Sequence, residues 1–132
     1  MKLIRRPKIT LERFELALEQ SNLSEIEQEI IDYIRYVGTF TQPQIVKSLN
    51  LKSKPPALSI LCQSCRKIGE LIPDHFEAVR NWSEKVSAEG VRWDGDLLCS
   101  STFNVDGIRL SPECMTAQFH HFAVHPEFFN GL

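Results

Sequence analysis

Two helix-start signals set close together constrain this chain most: Ser24 with Glu27, and Thr41 with Gln44. In each, the hydroxyl takes an orphan N–H of the first turn while the side chain three residues on reaches back to the cap's own N–H. Between them a helix carrying Ile26, Ile30, Tyr33, Ile34 and Val37 runs to Gly38, a residue free to adopt the left-handed C-cap conformation. The second box, with Pro43 in its first turn, opens a short helix through Ile45 and Val46 to about Leu49. Upstream, Thr10 caps a helix from Leu11 to about Glu19, with Leu11, Phe14 and Leu18 at helical spacing. Downstream, Pro55 and Pro56 start a fourth helix that ends at Gly69. Strand content is therefore expected almost wholly after Ile72, apart from short wing or edge strands.

The last three of these helices have a familiar spacing. The stretch Gln44-Ile45-Val46-Lys47-Ser48-Leu49-Asn50-Leu51, followed by Leu58-Ser59, Cys62, Cys65 and Ile68, resembles the helix-turn-helix of winged-helix DNA-binding domains over residues 23–72. The turn is about two residues longer than usual because of Lys54-Pro55-Pro56, and the wing that should follow is not obvious in the sequence. The resemblance implies a tri-helical unit whose fourth helix is the recognition helix.

Beyond Ile72 the pattern changes. Asp74 with Glu77 forms another capping box, and Phe76, Val79, Trp82 and Val86 suit one face of a helix ending before Gly90; the alternative is a strand from Ala78 to Trp82. Asp94-Gly95 and Asp106-Gly107 are turn dipeptides that tolerate the positive φ of a two-residue hairpin. They predict a meander in which a strand from Asp96 to Val105 pairs with 91–93 and 108–110. Ser111-Pro112-Glu113 then begins a last helix with Met115, Phe119 and Phe122 as its apolar stripe. The fold class is α+β: a basic arm (1–9), a helix-turn-helix unit (10–72), and an extension with meander and C-terminal helix (73–132) that completes one compact domain.

Charge divides the same way. The 132-residue chain has a net charge of −2. Residues 1–72 carry 11 basic against 8 acidic groups, a balance of +3, and residues 73–132 carry 4 against 9, a balance of −5. Local potential rather than net charge steers a polyanion, so the halves are read separately. With 42% hydrophobic and 24% charged residues, disordered, collagenous and disulfide-framework classes are excluded. The chain lacks an apolar run long enough for a membrane helix, and Lys2, Arg5, Arg6 and Lys8 interrupt any signal-peptide core, which predicts a cytoplasmic protein with reduced thiols at Cys62, Cys65, Cys99 and Cys114.

On the fourth helix, residues placed at helical intervals put Leu58, Leu61, Cys62, Cys65 and Ile68 on the core side. The opposite side then carries Pro56, Ile60, Gln63 and Lys67, flanked by Ser59, Ser64 and Arg66. Gln can read adenine, Arg or Lys can read guanine, Ser serves either, and Ile can meet a thymine methyl. Lys52 and Lys54 before the helix, with Arg66 and Lys67 near its end, suit phosphates on either side. Lys2, Arg5, Arg6 and Lys8 read as a mobile arm following the DNA backbone.

Two further clusters invite metal chemistry. Cys62-Gln63-Ser64-Cys65 is a CxxC, but within a helix both thiols fall on the buried face and act as small hydrophobes. His120, His121 and His125 lie near the last helix; the i, i+4 pair His121/His125 lacks the intervening Glu of the metalloprotease pattern. No metal or cofactor is expected, nor is catalysis, since nucleophile elbow, Walker loop and nucleotide-binding glycine patterns are all missing from the sequence. The expectation is a non-enzymatic DNA-binding protein, a transcriptional regulator or an accessory protein of a mobile element or phage. It would form a homodimer through Phe119, Phe122, Phe128 and Phe129. The competing expectation is a protein-binding module on the same scaffold, using Ile60 and the acidic half, such as an inhibitor of a nucleic-acid-binding host complex.

Overall fold

The computed structural model describes residues 5–51, 57–86, 90, 92–101 and 121–131. Helices α1 (Leu11–Gln20), α2 (Glu25–Val37), α3 (Gln42–Ser48), α4 (Ala57–Gly69) and α5 (Pro73–Val86) stand with strands β1 (Thr39–Thr41), β2 (Cys99–Ser101) and β3 (His121–Val124). This is an α+β fold, with helices mostly in the first part and two of the three strands after them.

The caps form as their residue types require. Thr10 Oγ1 accepts from Arg13 N at 3.2 Å. Ser24 and Glu27 exchange bonds of 3.3 and 2.8 Å, and Thr41 and Gln44 bonds of 3.3 and 2.9 Å. Gly38 ends α2 with φ +79°, where a side chain would be strained. Its carbonyl accepts from Val124 N at 2.7 Å, so the turn that stops the helix also delivers β1 to the sheet.

The sheet order is β1-β3-β2, both pairings antiparallel. Thr39 faces Ala123 and Phe40 faces Phe122 on one side of β3, while Cys99 faces Val124 and Ser101 faces Phe122 on the other. One hydrophobic cluster runs from Ile9 and Phe14 through Ile30, Ile34, Phe40, Leu61 and Ile68 to Leu98, Phe122 and Phe128, so both segments of the chain share a core. Phe40 stacks on Phe122 at 5.6 Å and Phe14 meets Phe128 at 4.2 Å. Buried Arg35 secures the end of the chain: its Nε donates to Phe128 O at 2.8 Å while its guanidinium lies over the Phe14 ring.

Several expectations are corrected. Asp94-Gly95 is no hairpin; it opens a 3-10 turn, Asp94–Leu97, with Leu98 N bonded to Gly95 O at 3.1 Å. Gly95 instead serves close packing, since a Cβ there would lie 2.5 Å from the Trp93 ring. Buried Leu97 and Leu98 belong to this turn's surroundings, and strand begins only at Cys99. The C-terminal helix does not reach Phe122, which lies on β3, because residues 121–124 complete the sheet between β1 and β2. Asp106-Gly107, the strand at 108–110 and the helix start at Ser111 fall outside the described residues. Residues 73–86 are helical, as preferred over the strand, but the helix starts at Pro73 and Asp74 lies in its first turn, paired with Arg13 rather than capping.

Candidate nucleic-acid interface

Helix α4 is covered on more than one side: it packs against α1, α2, α3, α5 and the 3-10 turn. Its buried arc is correspondingly wide, comprising Ala57, Leu58, Ile60, Leu61, Ser64, Cys65, Ile68 and Gly69. The single core side drawn from the sequence is therefore corrected at three positions. Ile60 is buried, 5% exposed, and cannot present a side chain to a thymine methyl. Ser64 is fully buried and donates its hydroxyl to Ile60 O at 2.8 Å, the local bond a serine makes when no external partner is offered. Cys62, expected in the core, is only partly covered.

Ser59, Gln63 and Arg66 remain as an exposed strip one turn apart, with Lys67 and Glu70 exposed beside it. Lys52 and Lys54 lie outside the described residues. Two adjoining grooves follow the strip. One, about 290 Å³, lies between Ser59, Cys62, Gln63, Arg66 and Trp93. The other, about 560 Å³, lies between α4 and α5 and is lined by Arg66, Glu70, Phe76, Glu77, Arg80 and Asp94 among others.

Carboxylates already attend the two α4 cations, unequally. Arg66 Nε donates to Asp94 Oδ2 at 2.7 Å, yet the Arg66 side chain is 57% exposed. The pair is solvent-screened, although the Asp94 hydrogen bond holds the guanidinium pKa above its ordinary value. Arg80 Nε stands 3.5 Å from the other oxygen of Asp94, its guanidinium over the Phe76 ring at 5.4 Å. Lys67 Nζ lies 2.5 Å from Glu27 Oε1, and this carboxylate is buried. Burial pushes Glu27 up, but the Lys67 ammonium and the Ser24 donors outweigh it and hold the carboxyl below its usual value.

The arm is partly fixed. Arg6 forks onto Glu127 through bonds of 2.8 and 2.7 Å, so it is tethered to the C-terminal segment rather than mobile. Arg5 and Lys8 are exposed; Lys2 is outside the described residues.

The CxxC is helical, and burial raises the thiol pKa of both Cys62 and Cys65, well above the ordinary value for Cys65. Cys114 and His120 fall outside the described residues. His121 and His125 are separated by an extended strand, roughly 13 Å of chain, not by one helical turn. His121 is exposed, while His125 is buried with Nε2 2.7 Å from Asp96 O. No group of three or more His, Cys, Asp or Glu among the described residues is placed to hold a metal. Phe122 and Phe128 lie in the chain's own core, and Phe129, 44% exposed, rests against Gly38; Phe119 is outside the described residues. The aromatic surplus that suggested a two-fold contact is thus largely used within the fold. Among the described residues, no helix is long and apolar enough to cross a membrane.

Asp94, Arg80, Phe76 and Trp93 were not legible as site residues. Asp94 lies 28 positions from Arg66, and only the packing of the 3-10 turn against α4 brings them together. Comparison with protein-family models, curated proteins and solved structures found nothing that matches this chain.

Proposed function

We propose that this chain is a non-enzymatic, cytoplasmic protein that binds double-stranded DNA through the exposed strip of α4, as a regulator or a mobile-element accessory protein. The observation that carries this reading is Ser59, Gln63 and Arg66 on one face of a helix that follows a short, doubly capped one. The position of β1 between α2 and α3, paired into a sheet with two later strands, suits the winged-helix resemblance. Arg66 is the residue best able to change partner, because exposed ion pairs contribute only about 0.2–1 kcal/mol whereas hydrogen bonds to charged groups contribute roughly 1.5–3. Lys67 is less available, since leaving would strand the buried Glu27 carboxylate.

Electrophoretic mobility of random and genomic duplexes across a salt series tests the proposal. Log affinity should fall with log salt by about 0.9 per neutralised phosphate, and Arg66→Glu with Lys67→Glu should abolish the shift. Absence of binding at about 50 mM salt refutes it. A protein-binding module is the second reading, favoured by the carboxylates that hold both cations and by the partly apolar groove beside Leu58, Cys62 and Trp93. Ile60, being buried, takes no part in it. A contact of that kind would survive the double charge reversal.

A further inference from the structure

We propose that the groove between α4 and α5 is a binding site for a nucleic-acid backbone phosphate, in which Asp94 stands in for the phosphate while the site is free. This rests on the DNA-binding reading and adds a second contact, Arg80, to it. Two guanidinium groups approach opposite oxygens of one carboxylate, Arg66 Nε at 2.7 Å from Oδ2 and Arg80 Nε at 3.5 Å from Oδ1. Two positive charges therefore share a single negative one. Planar guanidinium forks recognise carboxylate and phosphate by the same geometry, and phosphate offers more acceptor oxygens and more charge than Asp94 supplies. The Phe76 face holds the Arg80 guanidinium from below and keeps it directed along the groove. Gly69 lets that ring approach α4 closely, because a Cβ there would lie 2.4 Å from the Phe76 ring.

The opening, about 560 Å³, is wide enough for a phosphodiester and runs on from the Ser59–Gln63–Arg66 strip through their shared Arg66. Two other carboxylates line it. Glu70 is exposed to solvent, and Glu77 stands 3.9 Å from Arg92, which screens it. When Arg66 moves to a phosphate, Asp94 stays with Arg80, so Asp94 sets how much positive charge the groove offers. It weakens indiscriminate polyanion binding and withholds Arg80.

Fluorescence anisotropy of the full chain with a labelled random-sequence duplex of roughly 20 base pairs decides this, measured between about 50 and 200 mM salt. Asp94→Asn keeps the shape and removes the charge. It should tighten binding about two- to fivefold, the strength of an exposed ion pair, and steepen the salt slope by about 0.9 as Arg80 gains a phosphate. Adding Arg80→Met to Asp94→Asn should return the slope to that of the unsubstituted chain. If the unsubstituted chain binds and Asp94→Asn matches it in affinity and slope, the phosphate site is wrong and the DNA reading stands. If neither binds, both fall. Circular dichroism establishes that each variant folds; should Asp94→Asn not fold, Asp94→Ser carries the same expectations.

Discussion

Replacing Ile60 by Ala separates a helix face read from sequence spacing from the one the fold uses. On an exposed face the change would alter stability by less than about 0.5 kcal/mol. Ile60 is instead 5% exposed and part of the continuous core. Truncation removes about three carbons, worth roughly 0.8 kcal/mol each in transfer free energy, and the cavity left behind adds to that. The expected loss is about 2.5–4 kcal/mol, within the range for buried large-to-Ala substitutions and a large fraction of the roughly 5–15 kcal/mol that holds such a domain folded. Urea unfolding followed by circular dichroism measures it. With a slope of about 1–3 kcal/mol/M, the midpoint should fall by about 1–2 M, or the chain should fail to fold at all. Ser59→Ala and Gln63→Ala, on the exposed strip of the same helix, should each stay within about 0.5 kcal/mol of the parent. A shift below about 0.3 M for Ile60→Ala, equal to that of the two controls, would refute the placement of α4.

Gly69→Ala should destabilise the fold by about 1–3 kcal/mol, the cost of overpacking, because the new Cβ would meet the Phe76 ring at 2.4 Å; a neutral or raised melting temperature contradicts that close approach. His75 gives a pH signature. Burial lowers its pKa, with Arg13 adding to the effect, so the folded protein binds fewer protons than the unfolded chain below about pH 6.5. Its stabilising contribution is therefore full above that pH and lost as pH falls through the window beneath it, with a slope of at most about 1.4 kcal/mol per pH unit. Chemical unfolding between pH 7 and 5 should show this limb in the parent and a flatter one in His75→Gln. Equal slopes in the two would remove His75 from the account.

The sequence by itself determined the helix starts and stops of the first half, because capping is settled within a few residues. Ser24, Thr41 and Gly38 need only their own neighbours to form a cap, a box or a left-handed stop. It also determined that the CxxC is helical and that the chain mixes helix with sheet. What lies opposite a helix is another matter. Periodicity divides α4 into two faces but cannot count its neighbours, and the cover provided by the 3-10 turn and α5 on one hand and by α1, α2 and α3 on the other buried Ile60 and Ser64 as well. Nor could a turn dipeptide reveal that Asp94-Gly95 would be packed under Trp93 instead of closing a hairpin. The aromatic end of the chain reads as a helix until β1 and β2 offer it hydrogen bonds from both sides, and those partners are 82 and 25 positions away in the pairings of Phe40 with Phe122 and Cys99 with Val124. The charges followed the same rule: residue type made Arg66, Lys67 and Arg6 cations, and only the tertiary fold brought Asp94, Glu27 and Glu127 to them, because ion pairs between distant residues form only where packing brings their backbones together.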